Sequence, residues 1–263
     1  MIDLYENTRG GQWSIGWDLN TTVDRWHGVE ISNGRVVGID LIMNNLKGSL
    51  PESLGDLRHL VRLNLAFNEI NGELPKTFSR LNRLKTCRLE MNRIGGSLPE
   101  HLGRLRSLEV FSMYNNYLRG PIPHSVGKLK LLRELNLSSN LLEGTIPSTI
   151  GDLVLLEQLG FFDNRLQGGI PPQVGNLTSL RELVLANNSL GGEIPREFAQ
   201  LTKLEVLQLQ HNLFTSYTGL EQMDTAQLLV FDSDHTASPD EREAYRRTRM
   251  ADTKFEDEGE NPQ

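Results

Sequence analysis

The stretch NLAFNEINGELPKTFSRL, residues 64–81, decides the fold, because RLEMNRIGGSLPEHLGRL restates it at residues 88–105. An asparagine takes the same place in both stretches, at Asn68 and Asn92, which lie 24 residues apart. Self-similarity at a fixed period of about 20–50 residues is the signature of a repeat architecture. The fixed positions must therefore build the fold, and the variable positions are where a function would lie.

Four columns of this repeat hardly change along the chain. A large apolar residue, usually leucine, lies three positions before the asparagine, with a glycine four and a proline seven positions after it in almost every copy. The asparagine itself recurs every 24 residues, at Asn44, Asn68, Asn92, Asn116, Asn140, Asn164, Asn188 and Asn212. Eight such copies predict eight stacked coils, each of which is stable only against its neighbours.

Each copy predicts one strand followed by a tight return. In LVRLNLAFN, residues 60–68, Leu63 and Leu65 alternate with Arg62 and Asn64, which is the period of a half-buried strand. The Gly-x-x-Pro that follows blocks a long helix, and the asparagine amide can satisfy buried backbone groups of adjacent coils. We predict strands of one parallel sheet, centred near residues 39–41, 63–65, 87–89, 111–113, 135–137, 159–161, 183–185 and 207–209.

The pattern resembles the plant-type leucine-rich repeat, LxxLxxLxLxxNxLxGxIPxxLGxL, over residues 36–213. This resemblance implies an α/β solenoid, a curved horseshoe with one parallel sheet on its concave face and short 3-10 or irregular return segments on its convex face. The N-terminal segment is similar to the W-x-G-V…GRV cap of such proteins, in the cysteine-free form of algal, protist and bacterial members. In secreted plant receptors that cap usually carries a cysteine pair.

Both ends of the chain depart from the repeat, as a solenoid requires. Residues 1–35 form the expected N-terminal cap, in which Trp13, Trp17 and Trp26 would cover the first coil. Residues 214–237 form the expected C-terminal cap, where LLVFDSD, residues 228–234, reads as a degenerate ninth strand that closes the core. Beyond it, residues 238–263 predict a short helix that starts at Ser238 and an acidic, disordered tail.

Composition narrows the class of protein. The chain of 263 residues has no apolar run of the roughly 20 residues that a membrane span needs, and its N-terminus lacks a signal-peptide pattern. One cysteine excludes an intrachain disulfide and favours the cytoplasm or an organelle interior, with an extracellular location as the alternative if the chain is a processed fragment. A net charge of −7 and the lack of a recognition motif argue against nucleic acid.

The sequence offers no chemistry for catalysis. It contains no HExxH, CxxC, GxSxG, P-loop or GxGxxG motif. Cys87 takes a leucine position and reads as a small buried hydrophobe. The group Asp232, Asp234 and His235 is more typical of a solvated turn than of a metal site. We therefore predict a non-catalytic protein with no metal and no cofactor.

Two variable columns predict a partner surface on the concave face. The positions one and two before each asparagine project from that face, and in the first six coils they carry exposed Met, Ile and aromatic residues. Such side chains are typical anchors of a protein interface, although scattered surface hydrophobes are also common. The candidate site residues are Ile42, Met43, Phe67, Met91, Tyr114 and Phe162.

A third column alternates in charge and predicts a structural ladder. Seven positions before each asparagine, basic and acidic residues follow one another over six coils: Lys85, Glu109, Arg133, Glu157, Arg181 and Glu205. Members of adjacent coils should lie one strand spacing apart, so we expect ion pairs that stabilise the register rather than a binding site.

A second candidate surface is basic. Residues 76–133 hold twelve Lys or Arg against three Glu, a balance of +9 in a chain of net charge −7. Within the return segments this basic band comprises Arg80, Arg83, Arg104, Arg106, Lys128 and Lys130. The band could receive an acidic partner, an anionic surface or the chain's own acidic tail, and a solvated convex side is equally consistent with it.

These observations favour a scaffold that binds another protein or a peptide on its concave sheet, as a module within a larger assembly. The alternative is a receptor-like ectodomain fragment that senses a peptide or glycan on the same face. A signal peptide, membrane helix or kinase domain in the full-length gene would distinguish the second from the first.

Overall fold

The computed structural model describes residues 1–223 and 228–233. Within these residues the chain winds into successive coils, each built from a short strand, a turn, a second short strand and a 3-10 return. This arrangement confirms the predicted solenoid with a parallel sheet on one face and 3-10 returns on the other. The expected helix and acidic tail at 238–263 lie outside the described residues.

The largest sheet, which we call the concave sheet, takes one strand from each coil. Its ten strands, in spatial order, are Val29–Ser32, Arg35–Asp40, Arg62–Asn64, Thr86–Arg88, Val110–Ser112, Glu134–Asn136, Gln158–Gly160, Glu182–Val184, Val206–Gln208 and Val230–Asp232. Adjacent coils pair in parallel and in register, so that Leu63 is the partner of both Ile39 and Cys87. The eight predicted strand positions are confirmed, with centres within about two residues of those expected.

The N-terminal edge of the concave sheet carries an antiparallel strand that we did not predict, in addition to the eight predicted parallel strands. There Val29–Ser32 pairs antiparallel with Arg35–Asp40 across a two-residue turn. Asn33 and Gly34 both have positive φ, at 49° and 69°. An Asn-Gly pair favours this conformation, and two-residue turns of this kind match the twist of the flanking strands.

The return side of each coil is short, and in most coils its helical turn begins directly after a proline. A second set of strands forms two smaller sheets, Lys47–Ser49, Glu69–Glu73 and Arg93–Gly95 in one, and Arg119–Gly120, Leu141–Gly144, Arg165–Gly168, Ser189–Glu193 and Leu213–Ser216 in the other. The 3-10 helices of the returns are Glu52–Asp56, Lys76–Arg80, Leu102–Arg104, His124–Lys128, Ser148–Asp152, Pro172–Asn176, Arg196–Gln200 and Thr218–Leu220. In six of them proline is the residue immediately before the helix. Proline has a fixed φ and no N–H, and both suit the start of a helical turn.

The repeated asparagines join the coils through buried hydrogen bonds. The Asn116 side-chain amide donates to the carbonyls of Leu89 and Met113 at 3.0 and 3.1 Å, and its oxygen accepts the Ile94 amide at 2.9 Å. The same pattern recurs at neighbouring asparagines such as Asn92 and Asn140. Since these backbone groups lie inside the core, the asparagine is fixed because nothing else of its size supplies two donors and an acceptor there.

An aromatic cluster covers the first coil. Trp13, Trp17 and Trp26 are buried, Trp17 stacks on Trp26 at 4.7 Å between ring centroids, and Trp13 meets Trp17 edge-on at 4.8 Å. The short helix Ile2–Asn7 buries Leu4 beside them. Two further 3-10 turns, Gly10–Gln12 and Val23–Arg25, complete the segment. Sequence reasoning found the tryptophans but not the helix, which is too short for a periodic pattern.

The C-terminal end is closed differently from our expectation. Val230–Asp232 pairs in parallel with Val206–Gln208, and Leu228 packs against the core. Phe231, however, is 44% exposed, so it does not seal the solenoid as predicted. A strand at the edge of a sheet has a neighbour on one side only, and burial at this end instead involves Tyr217, Leu220 and Met223.

The alternating charge column forms isolated ion pairs, and each charged residue pairs with only one neighbour in the column. Lys85 Nζ lies 2.8 Å from Glu109 Oε1, and Arg133 Nη1 lies 2.5 Å from Glu157 Oε1. The third pair joins Arg181 and Glu205. Throughout the described residues, the ladder therefore consists of three separate pairs rather than a continuous chain of contacts.

Reversing one charge of the ladder should destabilise the fold modestly. Arg133→Glu replaces an ion pair by two facing carboxylates, at Glu157 and next to Glu109, and we expect the free energy of unfolding to fall by about 0.5–1 kcal/mol at low salt. The side chains are about half exposed, so 1 M salt should largely remove the difference. The charge-swapped double variant Arg133→Glu/Glu157→Arg is the control and should recover most of the loss. Equal unfolding midpoints for wild type and Arg133→Glu at low salt would contradict the prediction.

Candidate partner-binding surface

The residue before each repeated asparagine is held in the left-handed backbone region. Met43, Phe67 and Met91 have φ of 51°, 57° and 56°, and their side chains are 70%, 41% and 36% exposed. The Phe67 amide donates to the Glu90 carbonyl at 2.9 Å, which places successive members of the column side by side on neighbouring coils. The structure therefore brings these three predicted site residues together in one exposed row.

A left-handed backbone is unfavourable for methionine and phenylalanine. It costs residues other than glycine roughly 1–2 kcal/mol, and only asparagine and aspartate adopt it at all readily. Later coils carry Asn115, Asp163 and Asn187 in the same column, at φ of 54°, 50° and 56°. The first three coils thus accept backbone strain and, in the same positions, expose large apolar side chains.

The second predicted column is only partly exposed. Ile42 is 45% exposed and lies beside Met43, whereas Tyr114 and Phe162 are half-buried. The Met91 amide donates to the Tyr114 carbonyl, so Tyr114 extends the apolar row by one coil. Phe162 is separate. The intervening coil carries Ser138 and Ser139, and Phe162 is therefore not continuous with the other five predicted residues.

A partly buried group of charges beside this row was missed by the sequence analysis. The Arg88 guanidinium contacts Glu134 through two nitrogens, at 2.8 and 3.3 Å, and reaches Glu90 more weakly at 3.5 Å. Glu90 is 5% exposed. Glu90 lies two positions before its repeat asparagine, Arg88 lies four before it, and Glu134 lies six before the asparagine of its own coil. Of these three repeat columns, the sequence analysis used only the one that contains Glu90. Listing the other two columns would have placed Arg88 and Glu134 on the same face.

Electrostatics in this group follow from its burial. Burial acts to lower the pKa of Arg88, but the carboxylates of Glu134 and Glu90 outweigh it and raise that pKa overall. Burial raises the pKa of the Tyr114 hydroxyl, and the negative charge of Glu90 raises it further. Burial, with a contribution from Glu134, also raises the pKa of Glu182. The negative charge of Glu134 therefore acts on Glu182, two coils farther along the sheet.

A groove of about 440 Å³ adjoins the charged group on the concave sheet. Arg88, Arg62 and Glu30 line it, and Arg62 pairs with Glu30 across two strands. Asn64 also donates to Asp40 at 3.1 Å within the groove. The groove combines these polar side chains with apolar lining atoms and is partly open to solvent.

The basic band is exposed, although part of its charge is neutralised. Arg80 pairs with Asp56 at 3.4 Å and Lys130 with Asp152 at 3.3 Å, each on a neighbouring coil. In residues 1–223 and 228–233, no ion pair is made by the other four members, Arg83, Arg104, Arg106 and Lys128.

Reactive groups are scattered. Cys87 is fully buried, as predicted, and burial raises the pKa of its thiol. His211 Nδ1 lies 2.7 Å from the Asn187 amide oxygen, without a nucleophile in that contact. No group of three His, Cys, Asp or Glu residues within the described part of the chain could hold a metal ion. Asp234 and His235, which we considered with Asp232, lie outside that part.

Comparisons with known proteins agree with this architecture. Family models described as leucine rich repeat match residues 59–81, 107–129 and 131–153, and a second such model matches residues 163–214. The chain is 30% identical to a chain in the crystal structure of the BIR3–SERK2 complex from Arabidopsis thaliana, covering 63% of this chain and 92% of that chain with a TM-score of 0.53. The chain belongs to the leucine-rich repeat proteins.

Two longer structures are similar to this leucine-rich repeat protein. One is the ectodomain of the plant membrane receptor kinase GASSHO1/SCHENGEN3 from Arabidopsis thaliana in complex with CASPARIAN STRIP INTEGRITY FACTOR 2, at 34% identity over 81% of this chain and a TM-score of 0.77. The other is the ectodomain of the Arabidopsis receptor kinase HAESA in complex with an IDA peptide hormone, at 35% identity over 81% of this chain and a TM-score of 0.72. The chain spans 26% and 37% of their lengths.

No curated protein sequence gives a significant match. Among the residues that the structure describes, none belongs to a helix long and apolar enough to cross a membrane.

Proposed function

We propose that this leucine-rich repeat protein is a non-catalytic module that binds another protein or a peptide through its concave sheet. The observation that carries the proposal is the row of Met43, Phe67 and Met91, which are exposed although their backbone is strained. A row that served only the fold would be expected to carry asparagine or aspartate there, as three of the five later coils do, at Asn115, Asp163 and Asn187. Strained backbone positions of this kind are characteristic of ligand-binding surfaces.

The row has the composition of an interface. Ile42, Met43, Phe67, Met91 and Tyr114 form an apolar strip over the first four coils, and the groove lies on the same sheet. Methionine adapts its shape to a partner, and aromatic residues supply large contact areas at low entropic cost. Phe162, two coils away from the strip, is a further candidate contact for a partner long enough to reach it.

A second candidate function is a receptor-like ectodomain that senses a peptide or glycan on the same face. It is favoured by the similarity to receptor-kinase ectodomains, one of which is in complex with a peptide hormone. On this reading the protein is extracellular, whereas a scaffold in a larger assembly would be intracellular. A signal peptide, membrane helix or kinase domain in the full-length gene would decide between them.

The basic band is a second surface within the proposal. Arg83, Arg104, Arg106 and Lys128 would attract an acidic partner, and Arg80 and Lys130 would join them if their present pairs opened. This surface lies on the return segments, away from the concave strip. Variants of the two surfaces therefore report on them separately.

The proposal is tested by relieving the strain and removing the anchors in one step. A partner obtained by affinity purification with the wild-type protein is titrated against the double variant Phe67→Asn/Met91→Asn. We expect the thermal midpoint to stay or rise, because asparagine favours the left-handed backbone. The Kd should nevertheless weaken at least about tenfold, a loss of roughly 1.4 kcal/mol, because two anchors are gone.

Two controls make the result specific. Ser139→Asn changes the same column in a later coil, at φ of 52°, and should raise the thermal midpoint slightly without altering the Kd. Arg104→Ala/Lys128→Ala changes the basic band and should also leave the Kd unchanged. If the basic-band variant abolishes binding and the concave variant does not, the working face is the convex one and the proposal is wrong.

A further inference from the structure

Among the residues that the structure describes, three buried side-chain atoms lack a hydrogen-bond partner; one is Oε1 of Gln210, and the other two lie on adjacent coils of the concave face. These two are Oε2 of Glu90 and Oγ of Ser112, and the residues are 5% and 0% exposed. The two lie on adjacent coils, since the amides of Leu89 and Met91, on either side of Glu90, donate to the carbonyls of Ser112 and Tyr114. An unsatisfied buried carboxylate oxygen is costly, because it has lost its water without gaining a donor.

The existing cation in this group does not satisfy Glu90. Arg88 donates through both terminal nitrogens to Glu134, at 2.8 and 3.3 Å, and its contact with Glu90 is 3.5 Å long and involves only Oε1. Two carboxylates therefore share one guanidinium, which leaves a net charge of −1 in the group. With these side chains alone, Glu90 Oε2 has no donor and one negative charge is not compensated.

The group is placed where a partner would reach it. Glu90 immediately precedes Met91 of the apolar row, and its charge acts on the hydroxyl of the half-buried Tyr114. Arg88 is 36% exposed and lines the neighbouring groove. Because Glu90 and Ser112 are buried, a group can bind there only if neighbouring side chains move, and Tyr114 and Arg88 are the part-exposed neighbours.

We propose that Glu90, with Ser112 beside it, forms a subsite for a cationic group of the bound polypeptide, such as an arginine or lysine side chain or a terminal ammonium. This inference rests on the proposed function, because it names what the partner inserts next to the apolar strip. The incoming group donates N–H bonds to Glu90 Oε2 and to the Ser112 hydroxyl oxygen, and it brings the group to neutrality. A charge-assisted bond of this type is stronger than a neutral one.

The subsite can be tested without a known partner by nuclear magnetic resonance. The probes are ethylguanidinium, as a mimic of arginine, and n-butylammonium, as a mimic of lysine, each titrated into the labelled protein. Neutral N-ethylurea, which has nearly the shape of ethylguanidinium, is the control probe. We expect saturable shifts at the amides of residues 88–91 and 112–115 with at least one cation and no saturable shift with the urea. The relative effects of the two cations show which side chain fits.

Variants then separate a binding role from a structural one. Glu90→Gln keeps the shape and removes the charge, so the apparent affinity for the cation should fall at least tenfold, while the thermal midpoint stays or rises because a buried charge is gone. Glu143→Gln removes an exposed carboxylate outside the group and should keep the wild-type titration. A fall in the thermal midpoint of Glu90→Gln with unchanged cation shifts would show that Glu90 is a structural ion-pair partner and overturn the subsite.

The outcome is independent of the test of the proposed function. If the cations fail to saturate, or ethylurea shifts the same amides equally, the subsite is refuted even when Phe67→Asn/Met91→Asn abolishes partner binding. If that double variant has no effect on the partner, the concave binding function is refuted whatever the cations do.

Discussion

Replacing Asn116 with alanine should lower the free energy of unfolding by about 3–5 kcal/mol, one of the two largest effects we expect from a single substitution in this protein. The side-chain amide donates to the carbonyls of Leu89 and Met113, and the side-chain oxygen accepts the Ile94 amide, all within the core. Alanine leaves these groups unsatisfied and opens a small cavity. Each buried unsatisfied group costs roughly 1–3 kcal/mol, and the losses accumulate because three neighbouring segments share them.

Denaturant unfolding measures the loss, and hydrogen exchange locates it. We expect the Ile94 amide to lose its protection in Asn116→Ala, since its acceptor is the atom that has been removed. Asn82→Ala is the matched control, because Asn82 is exposed on a return segment, and it should change stability by less than about 0.5 kcal/mol. A loss under about 1 kcal/mol in Asn116→Ala would mean that the asparagine column is not what holds the coils in register.

The parts of the fold that could be predicted are those dictated by the repeat. Leu63, Leu65 and Asn68 recur at a period that only stacked parallel strands satisfy, so the strands and their register followed from the sequence. The prolines predicted where most of the return segments begin, because proline restricts the backbone φ angle at every position it occupies. In these columns a single residue type meets the same physical requirement in every coil.

The N-terminal edge could have been predicted more closely than it was. The pair Asn33–Gly34 stands between two segments with apolar residues at alternate positions, which is a strong hairpin signal. Our prediction for residues 1–35 is a cap without strands. The hairpin matters for the site, since Glu30 on its first strand lines the concave groove.

The strained row was predicted for the wrong reason. We read Met43, Phe67 and Met91 as strand positions that project from the sheet, whereas they lie just beyond the strand in the left-handed region. The sequence did contain a signal for this. The same column carries Asn115, Asp163 and Asn187, and such residues are enriched at positive φ. Only the backbone geometry shows that the apolar residues there are costly to the fold.

The contacts among Arg88, Glu90 and Glu134 could not be predicted from any single column of the repeat. Arg88 and Glu134 are 46 residues apart and meet across an intervening coil that carries Ser112. A ladder of adjacent charges, as in Arg133 and Glu157, is visible as alternation, but a contact that skips a coil depends on the length of the two side chains. Whether a carboxylate such as Glu90 is left with an unsatisfied oxygen depends on rotamers that a sequence does not specify.

The second large effect is expected at the N-terminal aromatic cluster. Trp17→Ala removes a ring that is 4% exposed, stacks on Trp26 and meets Trp13 and Tyr5, and its indole N–H donates to the His27 carbonyl at 2.9 Å. Truncation of such a buried aromatic residue costs about 3–5 kcal/mol. In a solenoid this loss falls on the coil that has one neighbour only, so the first coils should open before the rest.

Ile15→Ala is the control, because Ile15 lies in the same segment with half of its surface exposed, and it should shift the thermal midpoint little. In Trp17→Ala we expect a lower first transition, with early loss of exchange protection at Met43 and Leu41, whose amides donate to the next coil. Phe67 and Met91 lie on the following coils. Unfolding from this end would therefore disrupt the apolar strip one coil at a time, starting at Met43. A single transition at the wild-type midpoint would show that the tryptophans cover the solenoid without stabilising it. The geometry of the apolar strip would then depend on the hydrogen bonds of the asparagine column instead.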